Sequence, residues 1–305
     1  MGEVVALLVV AFGVGIVIGL TGMGGGALMT PALIFLGVPP TAAVANDLVA
    51  ASVNKTVGAA VHWRSGSPNL RLAAWLTAGS VPFAFAGAFI IDAYGASGDP
   101  QAFLKVAIGV ALLLTAGLYT VRMYLNMSRR VRVDPRAADP VVRPVPTLLV
   151  GAVGGLLVGI TSVGSGSLIM VCLLLLYPTL AARRLVGTDL VQAIPLVVAA
   201  SVSHIIVSGI DWDVLLPLVL GGAPGTYLGA RLSSVVPQSV TRRGIATVLT
   251  LTGLAMLQVP PVWVGIIGAG LVVLGPVVWG LVRRAALSRD GSRRGRAGAG
   301  SRRTP

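Results

Sequence analysis

The chain has 305 residues, 55% of them hydrophobic and only 11% charged, with a mean hydropathy of +0.90. A soluble domain carries about 25% charged residues; here Leu, Val, Ala and Gly replace them in runs of about 20, the length that crosses a bilayer core. The net charge of +13 does not argue for nucleic acid, because six of the 23 Lys and Arg lie between Arg122 and Arg143 and eight between Arg283 and Arg303. Basic residues gathered beside apolar spans are the positive-inside pattern, with anionic lipid as a secondary partner. A single cysteine, Cys172, and two histidines exclude an internal disulfide and a Cys/His metal cluster, and no cofactor is expected. Met1-Gly2-Glu3 has no basic n-region, so the N-terminus reads as the start of the first helix and not as a signal peptide.

In chain order, Val4 to Leu20 is apolar and of spanning length. It ends in the glycine-rich stretch Gly19-Leu20-Thr21-Gly22-Met23-Gly24-Gly25-Gly26, where helix-weakening residues sit in an apolar run. Ala27 to Leu36 is too short to cross alone and is closed by Gly37-Val38-Pro39-Pro40. Thr41 to Trp63 is long enough to span yet carries Asn46, Asp47, Asn54, Lys55 and His62. Leu72 to Ile91 and Phe103 to Leu125 complete a first half, residues 1–125. Residues 126–146, rich in Pro and Arg, read as a basic cytoplasmic linker.

The second half, residues 147–258, repeats the long-plus-short pattern around Gly159-Ile160-Thr161-Ser162-Val163-Gly164-Ser165-Gly166-Ser167. Leu185 to Val207 then holds Thr188, Asp189, Gln192 and His204. An extra C-terminal span at 259–282 and a disordered basic tail at 283–305 close the chain. A single offset of 142 residues places Asn46-Asp47 on Thr188-Asp189, His62 on His204, Gly79 on Gly221 and Pro82 on Pro224. One offset that aligns both histidines and both acidic residues of the spanning segments indicates a duplicated unit.

Loop charge orients the copies. Arg64 and Arg71 follow His62, whereas Asp211 and Asp213 follow His204. With the linker and tail inside, Arg64 falls inside and Asp211 outside, so the two halves run in opposite directions. The expected fold is therefore an all-α polytopic membrane protein of two inverted-topology repeats, with about 8–9 spans plus short half-helices. Its N-terminus lies outside and its C-terminus in the cytoplasm.

Ionisable residues in a bilayer are functional candidates by default. Asp47 and Asp189 either carry a transported proton or cap helices that start after a break. Lys55, which the offset places on Val197, is the counter-charge for an anion or a partner of Asp47. His62, followed by Trp63 and Arg64, reads as an interfacial anchor; His204 is a further proton-handling candidate. The glycine-rich stretches offer backbone N–H groups at the start of a short helix, which suits an anion. Thr21, Gly24, Gly25, Gly26, Asn46, Lys55, Thr161, Ser162, Ser165, Gly166 and Thr188 make up the candidate substrate-binding set. Two such stretches at matching places in two apolar halves point to one midplane site in a secondary transporter; close packing by small residues is the alternative use of the glycines. Neither stretch is a Walker or dinucleotide motif.

Gly19-Leu20-Thr21-Gly22-Met23-Gly24-Gly25-Gly26, Pro31, Gly37-Val38-Pro39, Gly187-Thr188-Asp189 and Gly225-Thr226-Tyr227-Leu228-Gly229-Ala230-Arg231-Leu232 resemble the TauE/SafE family of membrane transporters. The resemblance runs from Val4 to about Leu257, apart from the linker. It implies a multi-pass permease of the cytoplasmic membrane for small anions, since family members are linked to export of sulfite or organosulfonates and to uptake of sulfonates or other carboxylates. Gly164-Ser165-Gly166-Ser167 and Val171 depart from the family pattern, which usually keeps glycines and commonly a proline there, and make this side more hydroxylated. The expected function is a secondary transporter of a small anion such as sulfite, an organosulfonate or a small carboxylate, coupled to protons and working by alternating access. An intramembrane enzyme would need a Ser–His pair from the second stretch and His204, and no Gly-x-Ser-x-Gly or His-Glu-x-x-His occurs; a non-transporting scaffold held by the basic tail is the other alternative.

Overall fold

A computed structural model describes residues 2–21, 25–63, 68–128, 141–164, 166, 168–180, 182–232 and 238–273. These form helices and connections without strands. In chain order the helices are α1 (Gly2–Thr21), α2 (Gly26–Phe35), α3 (Pro40–Trp63), α4 (Leu70–Gly95), α5 (Pro100–Ser128), α6 (Pro144–Thr161), α7 (Leu168–Leu176), α8 (Ala182–Ser208), α9 (Trp212–Leu232) and α10 (Gln238–Met256). A shorter apolar helix, α11 (Pro261–Val273), follows.

Helix boundaries follow local chemistry. Beyond α2, Gly37 adopts φ +92°, a conformation few L-residues tolerate. It lets Val38 N–H reach the Leu33 carbonyl (3.0 Å) and Gly37 N–H the Ile34 carbonyl (3.0 Å), which closes the helix in a Schellman turn. At the start of α6, Pro144 takes a first-turn position that needs no N–H. That proline and the helical continuation of α5 to Ser128 trim both ends of the predicted 126–146 linker. Residues 129–140, and the 274–305 region with the rest of the predicted last span and the basic tail, lie outside the described residues.

Among the described residues, five helical segments are long and apolar enough to cross a membrane: Gly2–Leu20, Leu70–Gly95, Pro100–Val121, Pro144–Thr161 and Gly187–Ser208. Helix α3 has 24 residues but is more polar, with Asn46, Asp47, Asn54 and Lys55 along it. Val5, Ile206 and Leu220 are each at least 60% exposed. Large aliphatic side chains turned outward along several helices suit contact with lipid, which satisfies no backbone group but tolerates apolar surface. The chain is a polytopic helical membrane protein. Its interior is filled by Leu48, Leu72, Leu76, Leu104, Ile108, Ile169, Leu173 and Leu196, all fully buried.

Four helix starts recur 142 residues apart: Gly2 and Pro144, Gly26 and Leu168, Pro40 and Ala182, Leu70 and Trp212. Packing recurs with them. Helix α1 lies along α9 while its counterpart α6 lies along α4, and α2 meets α10 while α7 meets α5. The α1–α9 and α4–α6 seams are lined by glycines that let backbones touch. A Cβ at Gly19 would enter the Thr226 carbonyl, and one at Gly159 the Ala84 carbonyl. In lipid, where apolar burial drives little association, such close backbone approach is a main source of helix–helix affinity.

Candidate functional site

The two helix breaks meet. Helix α2 begins at Gly26, where a Cβ would overlap the Ser162 carbonyl, so only glycine admits the second break to this position. Ser162 itself stands at φ 60°, an uncommon conformation for a residue with a Cβ, and its N–H closes α6 on the Val158 carbonyl at 2.7 Å. Asp47, on α3, clasps the junction. Its Oδ2 accepts from Thr30 Oγ1 of α2 at 2.6 Å and from Ser162 Oγ at 2.8 Å. Its Oδ1 lies beside Gly25, 3.7 Å from where a Cβ would stand there. The Asp47 carboxyl, 2% exposed, thus joins both halves at the N-terminal end of the short helix.

The sequence expectation that Asp47 and Asp189 could cap helices does not survive. Helix α3 starts at Pro40 and α8 at Ala182, which puts each aspartate about two turns inside its helix. Pro40 suits the first of these starts, since a first-turn position needs no N–H. Asp189 is buried and accepts from Gln192 Nε2 at 3.1 Å, while Gln192 Oε1 receives the Ser80 hydroxyl at 3.5 Å. Lys55, partly accessible near the middle of α3, lies within Coulombic reach of both Asp189 and Asp47. The α3–α8 crossing is also tied by a hydrogen bond between Ser52 and Ser201 hydroxyls at 2.8 Å.

Other candidates are placed differently. Thr161 Oγ1 donates to the Leu157 carbonyl (2.6 Å) and accepts from Val163 N–H (3.1 Å), so it shapes the break from within. Thr188 Oγ1 donates to the Arg184 carbonyl and accepts from Asn69 N–H at 2.9 Å, which docks the start of α4 onto α8. Asn46 is fully buried, with Nδ2 on the Ala42 carbonyl at 2.9 Å and Oδ1 without a hydrogen-bond partner among the described residues. Gly166 is a half-buried turn residue. Gly24 and Ser165 lie outside the described residues, as do the side chains of Thr21 and His62.

His204 is 1% exposed, inside the helix packing and not at its rim. Its Nε2 lies 2.7 Å from the Gly159 carbonyl, which requires that nitrogen to carry the proton and donate. A continuous helix would send that carbonyl the N–H of residue 163, but Val163 N–H is on Thr161 Oγ1. His204 therefore satisfies an acceptor that the break has freed. The Ser162 hydroxyl, engaged with Asp47, is not the partner of this ring. His204→Ala is expected to lower stability by about 1–3 kcal/mol by orphaning a buried acceptor. His204→Gln should recover part of that, as read from thermal unfolding of the purified variants. Equal unfolding temperatures for wild type and His204→Ala would contradict this capping role.

Thr30 is the member of the constellation that reading the sequence passed over. It was visible as the lone hydroxyl in the ten-residue α2, an unusual residue in a segment otherwise apolar.

The family described as sulfite exporter TauE/SafE matches residues 7–256. Three Bacillus subtilis (strain 168) proteins are similar along most of the chain. The probable membrane transporter protein YjnA is 35% identical over 255 residues, covering 83% of this chain and 99% of the relative. The probable membrane transporter proteins YdhB and YunE are 27% and 23% identical, covering 82% and 81% of this chain and 99% and 93% of their own lengths. No solved structure matches.

Proposed function

This chain belongs to the TauE/SafE family and is a membrane transporter, and from that premise we propose that it is a proton-coupled secondary permease for a small anion such as sulfite, an organosulfonate or a small carboxylate. The observation that carries this reading is the meeting of the two helix breaks at Gly26 and Ser162, clasped by Asp47. Backbone N–H groups at the start of α2 and the helix dipole favour an oxyanion there. Lys55 supplies a nearby positive charge. Opposed breaks at the interface of two repeats are the common design of midplane sites in secondary transporters.

The matched helix starts and the exchanged packing partners support two repeats of inverted topology. In this reading α3 and α9 also cross the bilayer, as their lengths of 24 and 21 residues permit. One repeat rocks against the other to expose the site to each side in turn. The N-terminus is outside the cell membrane and the linker and tail are cytoplasmic, held against anionic lipid by their arginines.

Uptake into proteoliposomes tests the function. Purified protein should carry at least one of radiolabelled sulfite, sulfoacetate, isethionate or acetate faster than protein-free vesicles, with acceleration when unlabelled anion is present on the far side. Flux at the protein-free level for all four would refute the assignment.

A further inference from the structure

We infer that the two matched aspartates have different duties: Asp47 takes up and releases the coupled proton, while Asp189 stays ionised as the fixed partner of Lys55. This rests on the transporter reading above and assigns within it a single coupling group to a duplicated fold.

The hydrogen-bond partners of each carboxyl carry the distinction. Both partners found on Asp47 are hydroxyls, Thr30 Oγ1 and Ser162 Oγ. A hydroxyl rotates to donate to a carboxylate or to accept from a carboxylic acid, so the same cage serves both protonation states. The proton adds to one Asp47 oxygen and leaves from it, and nothing else changes but hydroxyl rotation. Asp189 instead accepts from an amide nitrogen of Gln192, which can only donate. The orientation of that amide is set at its other end, where Oε1 receives the Ser80 hydroxyl. Lys55 lies within Coulombic reach of Asp189 as well as of Asp47. A cation and an amide donor both favour the charged form.

The duplication makes the difference sharper. The positions that match Thr30 and Ser162 in the other copy under the same offset of 142 are Cys172 and Leu20, so neither matched position carries a hydroxyl. Asp47 also sits beside Gly25 at the N-terminal end of α2, where the anion is proposed to arrive. Two negative charges there repel, so anion binding and protonation of Asp47 assist one another. Charged groups on the helices packed against α3 are few. Helix α2 has none, and α8 carries Arg183 and Arg184 at its start, Asp189 about two turns in and His204 near its end. Helix α5 carries Lys105 and α9 carries Asp213 and Arg231, while Lys55 of its own helix lies within Coulombic reach of Asp47. Because Asp47 also bonds Ser162 of the opposite half, loading it with a proton rearranges a contact that the rocking motion must change.

The test uses the full chain in lipid vesicles and needs no substrate for its first arm. Infrared difference spectra between acid and neutral buffer should show a carboxylic-acid stretching band in wild type that Asp47→Asn lacks and Asp189→Asn keeps. Ser162→Ala, which retains the carboxyl but removes one hydroxyl, should displace that band. A band lost in Asp189→Asn, a band kept in Asp47→Asn, or an undisplaced band in Ser162→Ala would each overturn the inference.

The second arm measures isethionate, which has no group titrating near neutrality. In wild type, an imposed gradient of about one pH unit should sustain accumulation of up to about tenfold, the ratio that one coupled proton supports. In Asp47→Asn that accumulation should vanish, and whatever counterflow remains should not change with pH. Continued pH-driven accumulation in Asp47→Asn overturns the inference. Failure of the transporter reading is a separate result, the absence of any wild-type flux for all the anions above, and the infrared arm still decides between the two aspartates.

Discussion

Replacing Gly26 by alanine should separate the two helix breaks and abolish transport. The new methyl group would fall on the Ser162 carbonyl and close to its hydroxyl, and backbone cannot yield as a flexible side chain does. Overpacking of this kind costs about 1–3 kcal/mol when the structure absorbs it. Here the absorbing movement pushes Ser162 away from Asp47, so the site is lost along with the stability. Gly117→Ala is the control, since nothing stands within 4 Å of a Cβ there. It should be neutral or stabilise α5 by up to about 1 kcal/mol, because glycine weakens a helix interior. Thermal unfolding together with anion uptake reads both variants. Wild-type unfolding and flux in Gly26→Ala would mean that the two breaks do not depend on this contact.

Lys55→Met should have the second large effect, on binding above all. Lys55 is the positive charge acting on both Asp47 and Asp189. Methionine keeps the length and apolar character of the stem but leaves two carboxylates without it. Breaking a buried charge pair costs several kcal/mol; because Lys55 keeps partial access, we expect at most about 3 kcal/mol of lost stability. The apparent affinity for the anion should fall about tenfold or more, each tenfold being about 1.4 kcal/mol. Lys55→Arg retains the charge and should restore much of the loss. The readouts are KM for uptake and the unfolding midpoint. An unchanged KM in Lys55→Met would remove Lys55 as the counter-charge.

The glycine-rich stretches were legible because glycines and hydroxyls are unexpected in apolar runs, and the proposed repeat rests on one offset that aligned several unusual residues at once. The same residues did not reveal their division of labour. Gly19 and Gly159 serve close helix packing, whereas Gly26 serves the contact between breaks. Thr161 and Thr188 read as site hydroxyls by type, yet each returns its proton to the carbonyl four residues earlier in its own helix. That choice belongs to the rotamer and to what packs above it, and residue identity does not encode it. Asp47 looked like a possible cap because Asn46-Asp47 follows a break in the apolar pattern; with α3 beginning at Pro40, Asp47 lies buried about two turns inside it. His204 matched His62 by position alone, and only the fold brings its ring to the Gly159 carbonyl.

By itself the sequence determined that this is a helical membrane protein and that a few polar residues lie in segments where polarity is expensive, and it carried the proposal of two related halves. These conclusions follow from hydropathy, periodicity and repetition, which are local or additive along the chain. The tertiary structure decided which of those polar residues meet. Thr30, Asp47 and Ser162 come from three elements, and Ser162 is 115 residues from Asp47 along the chain. Such a contact depends on how far α6 travels before it breaks and on whether Gly26 leaves room for it, and neither is a property of any one segment. Side chains commit their hydrogen bonds only when their surroundings are complete, so the site became readable at the level of packing.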